Sequence, residues 1–268
     1  MIVSGDNFGY SFETDSHLNE MQKAAEKRHI LKHYTSIKTL KEILTNNTLL
    51  FNRIDKMNDE IESKLFSDIE VSKLIYVSCF SHSKLESIPM WKIYSNETGV
   101  CLEFEIKGEN FIKQMLLLNV PTINPTDQII YPYDMKITPP SDWYATFHLL
   151  DITYDIKLAN KYSIKNGSLY ILPPMGAIKR KEWSYEEESR MILTLRTTKN
   201  NVEIPDIPHF LVPISFENIK KMSITFNPWC NDKDICDVKL FMESFAKKTG
   251  VECTCHKSIL HGELSFAH

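Results

Sequence analysis

The stretch from Leu74 to Ile106 limits the fold most. LIYVSCFS (Leu74–Ser81) reads as a strand, and MWKIYS (Met90–Ser95) as a short helix after a polar loop. GVCLEFEI, ending at Ile106, reads as a second strand. Upstream, a short strand ends at HYTS. Ile37, Leu40, Ile43 and Leu44 then recur at the spacing of a helix with one buried face, with Ser36 placed as its N-cap. A strand TLLF ends at Phe51, before a polar loop carrying Arg53 and Asn58-Asp59-Glu60.

Downstream, Lys107 to Leu118 looks helical, Val120 to Asp127 is a loop bearing Pro and Asn, and QIIYPY is a strand. A longer helix is expected after Pro140, because Trp143, Phe147, Leu150, Tyr154 and Leu158 fall at helical intervals. The alternation of Met191, Leu193 and Leu195 predicts a strand from about Glu187 to Arg196. Further strands are expected at HFLVPI, KKMSITF and VECTCHKS, with a helix from Lys233 to Lys248 whose buried stripe includes Ile235, Val238, Phe241, Met242 and Phe245. This order suggests an α+β fold on mixed, mostly antiparallel sheets. Residues 1–30 are polar, weakly helical near His17 to Arg28, and read as an accessory arm; residues 31–268 read as a single domain.

An apolar fraction of 43% and a charged fraction of 25% suit an ordinary globular chain. The net charge of -4, with Lys and Arg scattered, shows no basic stripe for duplex DNA. No apolar run is long enough for a membrane span, and the N-terminus does not read as a secretory signal, so the expected location is cytoplasmic with no membrane partner. Four of the six cysteines lie from Cys230 onward, too unevenly for a disulfide scaffold, and reduced thiols are expected. Cys230, Cys236, Cys253, Cys255, His256 and His261 have zinc-binding atoms but none of the usual paired spacings, so no metal is expected.

Three places have side chains suited to chemistry, each with a structural alternative. His33-Tyr34-Thr35-Ser36 sits where a strand meets a helix N-terminus, so side chains and free amides can converge on a polar ligand. A histidine bonded to backbone is the plain alternative. Trp91 and Tyr94 share one side of a short helix, as core packing or as a platform for a flat heterocycle. Glu186, Glu187, Glu188 and Arg190 open a strand whose period places Glu186, Glu188 and Arg190 on one face, open to polar neighbours, and Glu187 on the other with Met191. The alternative is a solvated strand end with a weak ion pair.

Together these elements resemble a bacterial domain-of-unknown-function family. The likeness rests on HYTS, on CFS followed by MWxxY and GVCLEF, and on a lysine followed by W-x-Y-E-x-E-x-R (Trp183, Tyr185, Glu186, Glu188, Arg190). It covers about residues 31–196, and departs from the pattern at Glu60, where a proline usually follows Asn-Asp. That family in turn resembles a divergent branch of the ADP-ribosyltransferase superfamily. The resemblance implies a split, mostly antiparallel sheet with flanking helices and NAD as the substrate.

Carried over by position, it implies His33 as the first-strand residue, Tyr94 with Trp91 as the aromatic second position, and Glu188 as the acid, with Glu186 two residues earlier handling the acceptor. Either glutamate could be the principal acid. Tyr34 and Thr35 would support His33 in holding NAD, Trp91 and Tyr94 would hold the nicotinamide, and Arg53 would meet the pyrophosphate. The implied activity is transfer of ADP-ribose to a macromolecule, with an RNA or DNA base slightly favoured over a protein side chain. A role as a toxin or antiviral defence effector, with an antitoxin or regulator as partner, rests on the resemblance alone. The alternatives are a non-catalytic nucleotide- or partner-binding module and an NAD glycohydrolase.

Overall fold

The structure is a computed structural model, and it describes residues 16–59, 62, 72–96, 98–117, 144–157, 176–196 and 203–263. Its strands are β1 (Ile30–Thr35), β2 (Thr48–Arg53), β3 (Ile75–Ser81), β4 (Val100–Ile106), β5 (Tyr144–Asp151), β6 (Glu188–Arg196), β7 (His209–Pro213), β8 (Ile219–Phe226) and β9 (Glu252–Lys257). Its helices are α1 (Ser16–Glu26), α2 (Ile37–Asn46), α3 (Ile88–Tyr94), α4 (Phe111–Met115) and α5 (Asp232–Thr249). The fold is mixed α+β on a mostly antiparallel open sheet: the main path runs β5-β6-β3-β1-β4-β8-β9, and among the described strands only β8 and β9 pair in parallel.

Local sequence accounts for most of these elements. The Ser36 hydroxyl accepts the Thr39 N–H and caps α2, which buries Leu40, Ile43 and Leu44 and ends at Asn47 in the left-handed region. Asn231 caps α5 in the same way, and Gly250 at φ 74° closes it, a conformation that glycine adopts without strain. Residues 16–26, within the expected N-terminal arm, form α1, which packs on β5 and places Met21 and Ala25 in the main core.

Two expectations are corrected. The helix expected from Pro140 is a strand over Tyr144–Asp151, paired with β6 from Tyr144↔Arg196 to Asp151↔Ser189. Phe147 and Leu150 lie three residues apart, the spacing of a helical stripe, and in β5 they fall on opposite faces; β6 presented an open edge, and tertiary pairing decided. The helix expected over Lys107–Leu118 is only the single turn Phe111–Met115. The expected loop at 120–127 and strand QIIYPY at 128–133 lie outside the described residues.

The sheet forks at β3. One edge of β3 pairs with β6 along its whole length. The other edge meets β1 only at Lys32↔Ser81 and β2 only at Asn52↔Val77 and Arg53↔Tyr76, while β2 continues onto β7. Between these contacts β1 and β2 diverge, with α2 joining them, and a cavity of about 260 Å³ opens along the middle of β3.

Candidate active site

The fork removes ladder partners from the centre of β3, and His33 replaces one of them. Its Nδ1–H donates to the Cys79 carbonyl at 2.9 Å, which fixes the tautomer and leaves Nε2 as the remaining polar atom of a ring that lines the cavity. Burial lowers the pKa of His33, so the imidazole is neutral near pH 7. Tyr34 and Thr35 line the cavity beside it. Gly99 lets the end of α3 close against β1: a Cβ there would stand 1.8 Å from the Ser95 carbonyl oxygen and 2.5 Å from that of Thr35.

The opposite side is a buried ionic cluster, in which Glu188 and Arg190 share polar neighbours away from solvent, and the alternative of a solvated strand end does not hold. β6 is covered on both faces, and Arg190 is fully buried. Its guanidinium grips Glu188 (Nε to Oε1, 2.6 Å) and Glu62 (Nη1 to Oε2, 2.5 Å), and donates to the Gly176 carbonyl at 2.6 Å. The Lys179 ammonium lies 2.5 Å from Glu186 Oε2, 2.9 Å from Glu188 Oε2 and 3.4 Å from Glu62 Oε1. The Tyr94 hydroxyl donates to Glu186 Oε1 at 2.5 Å.

Glu187 sets the geometry at the start of β6. A 3₁₀ helix, Lys181–Glu186, ends at Glu187 with φ 40° and ψ 60°, a left-handed conformation uncommon outside glycine. The Glu187 carbonyl is held by the His82 N–H at 2.8 Å, and the Ser81 hydroxyl donates to the Glu186 carbonyl at 2.7 Å. This reversal turns Glu187 out to solvent and lets Glu186 and Glu188 converge on one ammonium.

The two acids differ in environment. Burial opposes ionisation of Glu188, but Arg190 and Lys179 outweigh it and hold the carboxyl at about 2. Burial and the neighbouring Glu188 charge raise the pKa of Glu186. Counted by lone pairs, Glu188 accepts from Arg190 twice, from Lys179 and from the Cys79 thiol. Among the described residues Glu186 accepts from Tyr94 and Lys179 only, which leaves it acceptor capacity.

Two expected ligand residues are elsewhere. Trp91 is fully buried against the Tyr34 ring (4.8 Å, edge-on), and its Nε1–H donates to Glu86 at 3.1 Å, so it supports the wall instead of facing the cavity. Arg53 is buried at the end of β2, with its guanidinium spent on Asp55 and Asp206. Lys179, Glu62 and Cys79 complete the site without a sequence signal that singled them out. Only the lysine preceding the W-x-Y-E-x-E-x-R pattern hinted at the first. Asp59 of the Asn58-Asp59-Glu60 loop pairs with Arg180, next to Lys179; Glu60 lies outside the described residues.

Among the described residues no group of three or more His, Cys, Asp or Glu is arranged to hold a metal ion, and all six cysteines are free. No described helix is long and apolar enough to cross a membrane.

Fold and site thus define an α+β protein with a forked, mostly antiparallel sheet and a cavity between a neutral histidine and a buried pair of unlike carboxyls. A family model described as a protein of unknown function (DUF2971) matches residues 90–191, a span holding Tyr94, Lys179, Glu186, Glu188 and Arg190 but not β1 with His33. Comparisons with curated proteins and with solved structures returned no match.

Proposed function

We propose that this chain is an ADP-ribosyltransferase that cleaves NAD in the forked-sheet cavity and passes ADP-ribose to a macromolecular acceptor. The observation that carries the reading is the pair Glu186 and Glu188, sharing the Lys179 ammonium but held in opposite ionisation tendencies. Environments that push two carboxyls apart assign them different roles. The fork in the sheet, the resemblance of the His33, Tyr94 and Glu188 motifs and their convergence on one cavity agree with it.

Breaking the bond between the ribose C1′ and the nicotinamide nitrogen sends the electron pair to nicotinamide and leaves positive charge on the ribose. Glu188, anionic at any physiological pH, stabilises that charge. The weakly donating Cys79 thiol is the partner a ribose hydroxyl most readily displaces from it. As the acceptor nucleophile bonds to C1′, its proton goes to Glu186, whose raised pKa and spare lone pairs suit a base. The Tyr94 hydroxyl orients Glu186, and His33 offers Nε2 to a ribose hydroxyl or amide. A volume of about 260 Å³ holds the nicotinamide half of NAD and leaves the adenylate half at the mouth.

The test is incubation of the full chain with adenylate-labelled NAD and cell extract, followed by nuclease or protease digestion. Glu188→Gln should lower nicotinamide release by about 10²–10³-fold. Glu186→Gln should cut label transfer far more than nicotinamide release. Release without any labelled polymer would make the chain an NAD glycohydrolase. Absence of nicotinamide release by the wild type under every condition would sink the enzymatic reading.

A further inference from the structure

Lys32 and Ser81 stand at the edge of the cavity. Both residues also belong to a second groove of about 400 Å³, which runs along the start of β1 and the turn after β3. The turn is tied to the reactive acids, since the His82 N–H and Ser81 hydroxyl bond the carbonyls of Glu187 and Glu186. Whatever lies in the groove therefore lies beside the mouth of the cavity.

The groove has a distinct charge. Arg28 uses Nε and Nη2 on Asp151, which leaves Nη1. Lys32 stands 3.9 Å from Glu103, a loose pair. Lys84 is exposed and has no ion pair among the described residues. His29 donates Nδ1–H to the Gly108 carbonyl at 3.1 Å, leaving Nε2 for a ligand. Three cations and one carboxylate, Glu103, thus line the groove in a chain whose net charge is -4, with Asp151 behind Arg28 and Glu187 beside His82 just outside the lining.

We infer that this groove holds the phosphodiester backbone of a single-stranded nucleic acid and delivers one of its bases to the cavity. The assignment deepens the ADP-ribosyl transfer proposed above and rests on it. The charge pattern suits a nucleotide at both ends: the phosphate meets Lys84, Arg28 and Lys32, while an uncharged heterocycle enters beside Glu186 and Glu188. A cationic side chain would be repelled in the groove, and an acidic peptide would bring carboxylates to the two acids. Three cations are too few for the many phosphate contacts of duplex binding, and a groove of this size takes one or two nucleotides.

The test measures fluorescence anisotropy of a labelled single-stranded oligonucleotide of mixed sequence with the full chain at low salt. Beside it runs nicotinamide release without acceptor. Binding should weaken with added salt. Lys84→Glu should weaken it about tenfold, and His29→Ala less, while both variants release nicotinamide at the wild-type rate. The groove assignment is overturned if the oligonucleotide does not bind, if Lys84→Glu binds as the wild type does, or if a duplex or a poly-glutamate peptide competes equally well. Salt-sensitive, Lys84-dependent binding by a chain that releases no nicotinamide would keep the groove and remove the catalytic reading.

Discussion

The ionic floor and the aromatic wall of the cavity are buried alike, with Arg190 and Trp91 both at 0% exposure, yet they are built on opposite terms. The wall of Tyr34, Met90, Trp91 and Cys101 closes its own interactions. The indole ring packs edge-on to Tyr34, and its one donor meets Glu86, which also takes the Ile259 N–H at 3.0 Å. Among the described residues the floor sets three carboxyls, Glu62, Glu186 and Glu188, against two cations. Arg190 satisfies two of the acids, and the shortfall falls on Glu186. A wall of this kind supplies stability indifferent to pH, whereas a floor one cation short keeps a proton site next to a permanent anion.

The sharpest way to break this contrast is Arg190→Met. It leaves Glu188 and Glu62 buried with Lys179 as the one cation between them among the described residues, and removing one partner of a buried pair costs about 3–5 kcal/mol. Urea unfolding should show that loss near pH 7.5 and a smaller one near pH 5, where the Glu188 carboxyl, no longer held low by the guanidinium, takes up a proton. A loss of the same size at both pH values would mean that packing, not charge, is what Arg190 supplies.

On the wall, Trp91→Phe is the matching substitution. It keeps an aromatic ring against Tyr34, removes a donor from a Glu86 that retains Ser258 and Ile259, and leaves a small cavity. The expected cost is about 1–2 kcal/mol, equal at the two pH values. The KM for NAD should stay within about threefold, because Trp91 does not line the cavity. A large rise in KM would restore the indole to the binding site.

The same contrast explains what could be read in the sequence. α2 with its Ser36 cap, β3, β4, β6 to β9 and α5 follow from short-range periodicity, and the His33, Tyr94, Glu186 and Glu188 side chains line one cavity. Side-chain direction was not legible. Trp91 and Tyr94 share a helix side by spacing, but only packing sends the indole into the core and the phenol to Glu186. The period of two puts Glu186, Glu188 and Arg190 on one face; the left-handed Glu187 that brings the two acids together depends on a bond from His82, more than 100 residues earlier. Lys179 and Glu62 reach the floor through tertiary contacts alone, and β5 became a strand because β6 offered it an edge.

The smallest expected effect separates the two acids within the floor. Glu188, held at about 2 against an ordinary 4.5, contributes stability that is fully present above the ordinary value and is lost as pH falls from there through 2. Glu186 has the opposite sign. Its raised pKa means that the fold favours the protonated carboxyl, so stability is lost as pH rises from 4.5 through the raised value. Together they place a stability maximum in the weakly acidic range. Glu186→Gln, uncharged and nearly isosteric, should flatten the decline on the alkaline side and leave the acid limb in place. Urea midpoints from pH 3 to pH 8 for wild type and variant give the difference directly, since groups elsewhere cancel between them. If the alkaline decline persists undiminished in Glu186→Gln, the proton site lies elsewhere, and Glu186 loses its claim to accept the proton of the incoming nucleophile.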